Sequence, residues 1–149
     1  MHRTMAGALV VMLALVLASC GGSGDALSKA DFVKQANAAC ATARKDAEKT
    51  RGKGIAAFAD KVEAYQRGKL KGVEALEPPD ELKTRFAAYK NTLTQRTNLI
   101  AHLVTIVKAR GRVSKQDEKT VSALQIKEDE GATALGLTVC RESRASAAH

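Results

Sequence analysis

From residue 28 onward, apolar residues in this chain recur every third or fourth position and nowhere alternate, which commits the chain to helices rather than strands. The pattern is longest in a segment where Leu82, Phe86, Tyr89, Leu93, Ile100, Leu103, Val104 and Val107 share one face. Asp80 is the expected cap of that helix and Gly111 its end, with Lys108 and Arg110 in the last turn, where cations favour the helix dipole. Upstream, Ser28 and Asp31 approximate a capping box for a first helix that carries Phe32, Val33, Ala36, Ala39, Cys40, Ala43 and Ala47 and ends near Arg51-Gly52-Lys53-Gly54. A second helix is expected from about Ile55 to Leu76, with Phe58, Val62, Tyr65, Val73 and Leu76 on its stripe. Gly68 and Gly72 weaken it by ~1 kcal/mol each relative to alanine, and Pro78-Pro79 stops it. Ser114 and Asp117 open a fourth helix that turns Val121, Leu124, Ala132 and Leu135 inward and ends at Gly136. Short connections favour antiparallel neighbours, so the expected architecture is an all-α, up-down four-helix bundle over 28–140 with a flexible tail at 141–149.

The first nineteen residues have a different character. Arg3 supplies a positive start, Ala6 to Ala18 form an apolar run too short to span a membrane comfortably, and small Ala18 and Ser19 precede Cys20. Leu17-Ala18-Ser19-Cys20 resembles a bacterial lipobox, and Gly21-Gly22-Ser23-Gly24 follows it as a flexible tether. The expectation is a cleaved lipoprotein signal peptide at 1–19, and a lipidated cysteine with its tether at 20–27. The partner is then a membrane, held through a diacylglyceryl group on Cys20, with the domain on the extracytoplasmic face of the cell membrane. Two or three acyl chains anchor stably where one does not.

Cleavage before Cys20 would remove all three methionines, Met1, Met5 and Met12, and the chain has no tryptophan. Phe32, Phe58, Phe86, Tyr65 and Tyr89 are its aromatic residues, so the core rests mainly on Ala, Leu, Val and Ile. The formal charge is +8, and Arg3 is the one charged residue before Cys20, which leaves +7 on the remainder. Outside the membrane such a surface suits anionic lipid head groups or acidic wall polymers rather than nucleic acid, or it simply keeps the domain solvated.

With Cys20 taken by lipid, Cys40 and Cys140 remain, and an exported pair without a third thiol is expected to oxidise to a disulfide. A redox-active or metal-binding pair is the competing reading, and it lacks both CxxC spacing and an adjacent histidine. Three further elements carry a resemblance. Ala36-Asn37-Ala38-Ala39-Cys40, Leu76-Glu77-Pro78-Pro79 and Leu135-Gly136-Leu137-Thr138-Val139-Cys140 resemble the AN-x-x-C, L-x-x-P and Y-G-L-x-x-C elements of small helical actinobacterial lipoproteins, with Leu135 where the last element often has tyrosine. That resemblance implies the Cys40–Cys140 pairing and no activity.

Signals for catalysis are poor. His102 lies with Asn91, Gln95 and Asn98 on the polar side of the third helix, and the other histidine after Cys20 is His149. Zinc, copper and haem sites lack ligands, no phosphate-cradling loop or nucleophile elbow is present, and neither a cofactor nor a catalytic residue is assigned. One constellation stands out. Arg96 and Thr97 interrupt the stripe between Leu93 and Ile100, and Glu128 falls on the stripe of the fourth helix. In a hairpin turning near Arg112 and Val113, Arg96 and Glu128 lie level, so they are expected to form a partly buried pair. That pair either fixes helix register or lines a polar pocket for an anionic or amphipathic ligand. Lys69, also on an apolar stripe, either snorkels to solvent or marks an open part of the bundle.

The leading expectation is a non-enzymatic, membrane-anchored lipoprotein that works by contact with an envelope protein. The alternative is a binding module for a small amphipathic or anionic ligand between helices. A cavity of ~300 Å³ or more favours the second; a closed alanine-packed core favours the first.

Overall fold

The computed structural model describes residues 27–142; the signal segment, Cys20, the glycine tether and residues 143–149 lie outside that range. Four helices pack against one another: α1 (Lys29–Ala47), α2 (Gly54–Glu74), α3 (Lys83–Arg110) and α4 (Lys115–Leu135). A 3-10 turn at Asp80–Leu82 precedes α3, and another at Thr138–Cys140 follows α4. No strand occurs among the described residues, and none of their helices is long and apolar enough to cross a membrane.

Local chemistry explains most boundaries. Ser28 Oγ accepts from the Asp31 amide and Ser114 Oγ from the Asp117 amide, each at 3.1 Å, so both serines cap their helices through a donor the helix leaves unpaired. Gly111 and Gly136 close α3 and α4 in the left-handed region, at φ 73° and 78°. Asp80 does not cap α3 as expected. It opens the 3-10 turn and pairs with Lys83 at 2.7 Å, and α3 begins at Lys83 without a side-chain cap. α1 also stops earlier than expected, at Ala47 rather than near Gly52. Its last buried residue is Ala47, after which Lys49 and Thr50 donate to the carbonyls of Asp46 and Ala47 in turn geometry.

α1 and α2 approach closely because both present small residues. A Cβ placed on Gly72 would lie 2.9 Å from the Cβ of Ala39, and one on Gly68 would lie 3.2 Å from that of Ala43. The two glycines thus serve the packing of α2 on α1, at the expense of helix propensity. Gly72 facing Ala39 and Gly68 facing Ala43 fix an antiparallel register that sets Ala47, the end of α1, beside Ala64 of α2.

The core gathers where all four helices are present. Phe32, Ala36, Val73, Phe86, Leu93, Ala132 and Leu135 are buried together there, with Phe32 and Phe86 edge to face at 5.1 Å. Such a ring pair adds about 0.5–1.5 kcal/mol beyond its area. The disulfide Cys40–Cys140, with Cα atoms 5.2 Å apart across 100 residues of sequence, draws the final 3-10 turn onto α1. Asn37 Oδ1 accepts from the Val139 amide at 2.9 Å, and Arg44 donates to the Val139 carbonyl at 3.1 Å. At the opposite end α1 is missing, so the first turns of α2 and α4 and the last turns of α3 lack a fourth neighbour. Phe58, expected on the buried stripe of α2, is 68% exposed there, and Ile55 is 57% exposed.

Candidate functional site

The stripes of three helices each carry polar residues into the middle of the bundle. α2 contributes Gln66 and Lys69, α3 contributes Arg96 and Thr97, and α4 contributes Glu128; all five are buried. Arg96 Nη1 donates to Glu128 Oε2 at 3.0 Å, so the two residues that sequence spacing sets level do meet. They do not meet alone. Lys69 is fully buried, is ion-paired with Glu128, and donates to the Cys140 carbonyl at 3.2 Å. It neither snorkels nor marks an opening; its ammonium also sits 4.9 Å from the centre of the Tyr65 ring.

The fourth charge is Glu142, which sequence reasoning left in the flexible tail. The structure corrects that boundary: the Glu142 amide donates to Asp129 Oδ1 at 3.0 Å, and its carboxylate takes a bidentate grip from Arg96 at 2.7 and 2.8 Å. Gln66 Nε2 donates to the same carboxylate at 2.6 Å, and Lys69 lies 3.9 Å away. The signal for Glu142 was its place two residues after a cysteine that the disulfide pins to α1. Gln66 shares the inner face of α2 with Lys69, three residues on, and Gln125 of α4 makes a longer 3.5 Å contact to Arg96 Nη2.

Two cations and two carboxylates therefore balance in a site shielded from water. Burial works to raise the Glu142 pKa, but the hydrogen bond and charge of Arg96, helped by Lys69, hold it below the usual carboxylate range. Burial alone would lower the Arg96 pKa, and the two glutamates instead carry it upward. The Tyr89 phenol is pushed far up by burial, then by the Glu128 charge, and stays neutral. Not every polar atom is satisfied. Arg96 Nε, Gln66 Oε1 and the hydroxyls of Tyr65 and Tyr89 are buried without a partner.

Above this network, at the end α1 does not reach, lies an apolar groove of about 360 Å³. Ile55 and Phe58 of α2, Leu103 and Val107 of α3, and Val121 of α4 form its walls, and Arg96 is part of its lining. Of the described residues that line it, Glu118 is the other charged one, and it is exposed. The volume exceeds the ~300 Å³ at the lower end of small-molecule sites.

No group of three or more metal-ligating side chains occurs among the described residues. His102 is exposed on the outer side of α3. No protein-family model, curated protein or solved structure matches the chain.

Proposed function

We propose that this chain is a lipid-anchored, non-enzymatic binding protein of the bacterial envelope, and that its helical domain holds a small amphipathic molecule in the groove between α2, α3 and α4. The groove carries this reading: apolar walls enclose about 360 Å³, with Arg96 in the lining. The anchor rests on the sequence, through the charge, apolar run, small residues and cysteine that end at Cys20. The Cys40–Cys140 disulfide supports the same address, since such bonds persist in oxidising compartments. The loose likeness to small actinobacterial lipoproteins agrees with both.

A naphthylamine dye that brightens in apolar surroundings tests the groove. The full-length protein should enhance its fluorescence, and Ala59→Trp, which plugs the groove from a half-buried position on α2, should remove most of the signal without lowering the melting temperature. No enhancement, or enhancement indifferent to Ala59→Trp, overturns the reading. Cys20→Ala tests the anchor: the variant should leave the membrane pellet, and its retention there would refute lipid attachment.

A second reading keeps the same address and gives the groove end to an envelope protein. Exposed Phe58 and Ile55 favour it, because they place two large apolar side chains at the mouth. Phe58→Asp should then abolish capture of a single membrane protein while dye binding persists.

A further inference from the structure

Resting on the groove reading, we infer that the guest is a monoacyl chain with an uncharged polar head, an alcohol or an ester, and that a free carboxylate is discriminated against. The groove is apolar but for Arg96 and, at its exposed edge, Glu118 and Ser122. A single chain suits so narrow a space, and its head group must meet whatever polarity the inner wall offers.

That polarity is unusual. Arg96 is 3% exposed, and its Nη atoms are engaged by Glu128 and Glu142. Its Nε–H is a buried donor without a partner, in a residue that lines the groove. A buried unpaired donor is costly, so an acceptor that reaches it is bound with a specificity the apolar walls do not supply.

The charge count decides which acceptor. Lys69 and Arg96 are matched by Glu128 and Glu142, so the guanidinium has no charge left to offer. A carboxylate brought to Arg96 would stand near two carboxylates already in place, with Glu118 acidic at the groove's edge. Like charges set together in a desolvated site disfavour a partner strongly. A hydroxyl or ester carbonyl accepts the same hydrogen bond and adds no charge.

Displacement of the naphthylamine dye from the full-length protein by decanol, monodecanoylglycerol and decanoate measures the preference, at about pH 8, where the acid is ionised. The alcohol and the ester should displace dye at concentrations at least about tenfold below decanoate. Equal potency, or stronger displacement by decanoate, overturns the head-group inference and leaves the groove standing. No displacement by any of the three, or displacement unchanged by Ala59→Trp, removes both. Glu142→Gln supplies an independent arm by taking one carboxylate from the network at nearly constant shape. Decanoate should gain on decanol in that variant; an unchanged ratio counts against the charge argument.

Discussion

Lys69 of α2 and Glu128 of α4 are ion-paired at the centre of the bundle, with side chains 0% and 1% exposed. Their contact joins two helices that are not consecutive, and the Arg96–Glu128 bond adds α3 to the same carboxylate.

Removing one partner strands a charge out of water. Lys69→Met is expected to cost about 3–5 kcal/mol in urea unfolding, and Glu128→Gln a similar amount. The double variant leaves the bidentate Arg96–Glu142 pair balanced. It should therefore fall short of the summed single losses by about 1–3 kcal/mol. Simple additivity would show that the network does not act as one unit.

Glu142 gives the domain a sensitivity to acid. Its pKa is lower in the folded chain than in the unfolded one, because Arg96 and Lys69 outweigh burial. Its contribution is thus complete above the unfolded carboxylate value of roughly 4.3 and is lost as pH falls through the lower folded value. Melting temperatures followed downward from neutral pH should drop across that window. Glu142→Gln should begin less stable and show a shallower acid decline. A variant whose decline parallels the parent's would place the acid sensitivity elsewhere.

Reduction should act on two levels. The Cys40–Cys140 bond closes a loop of 100 residues, for which the chain-entropy model gives about 4.7 kcal/mol and removal of native bonds in small domains typically shows 2–5 kcal/mol. The same bond holds the 3-10 turn that delivers Glu142 and the Cys140 carbonyl to Arg96 and Lys69. Cys40→Ser with Cys140→Ser should lower the urea midpoint and also make Lys69→Met less costly than in the oxidised protein. An unchanged Lys69→Met penalty would separate the bond from the network.

Gly72→Ala inverts the usual helix rule. Alanine raises intrinsic helicity by about 1 kcal/mol, yet its methyl would meet Ala39 at 2.9 Å, closer than packed carbons come. The substitution should destabilise, and Ala39→Gly should restore part of the loss in thermal melts. A gain in stability from Gly72→Ala alone would mean that α1 shifts at little cost.

Helix number, the serine caps of α1 and α4 and the glycine ends of α3 and α4 were legible, because each depends on neighbours in sequence. Arg96 and Glu128 were legible as a level pair because both interrupt apolar stripes on consecutive helices. Lys69 was not, for a reason of charge. With one arginine and one glutamate the pair is already neutral, and a buried lysine is surplus until Glu142 supplies the second carboxylate. Glu142 in turn depends on the path of the chain beyond Cys140, which no periodicity records. Asp80 was misplaced because a residue just after a proline pair can open a 3-10 turn as readily as cap an α-helix. The groove follows from α1 ending at Ala47, and spacing marks a helix end less firmly than its face.

Because α1 stops beside Ala64, resistance to opening is graded along the long axis of the molecule. Backbone amides in the disulfide-bound half are protected by every helix at once and exchange with deuterium only when the whole fold lets go. Those around Phe58, Val107 and Val121 answer to three rods alone, so that end can breathe while the other stays shut. A guest could thus enter by parting α2 from α4 there, with the covalent end serving as the hinge.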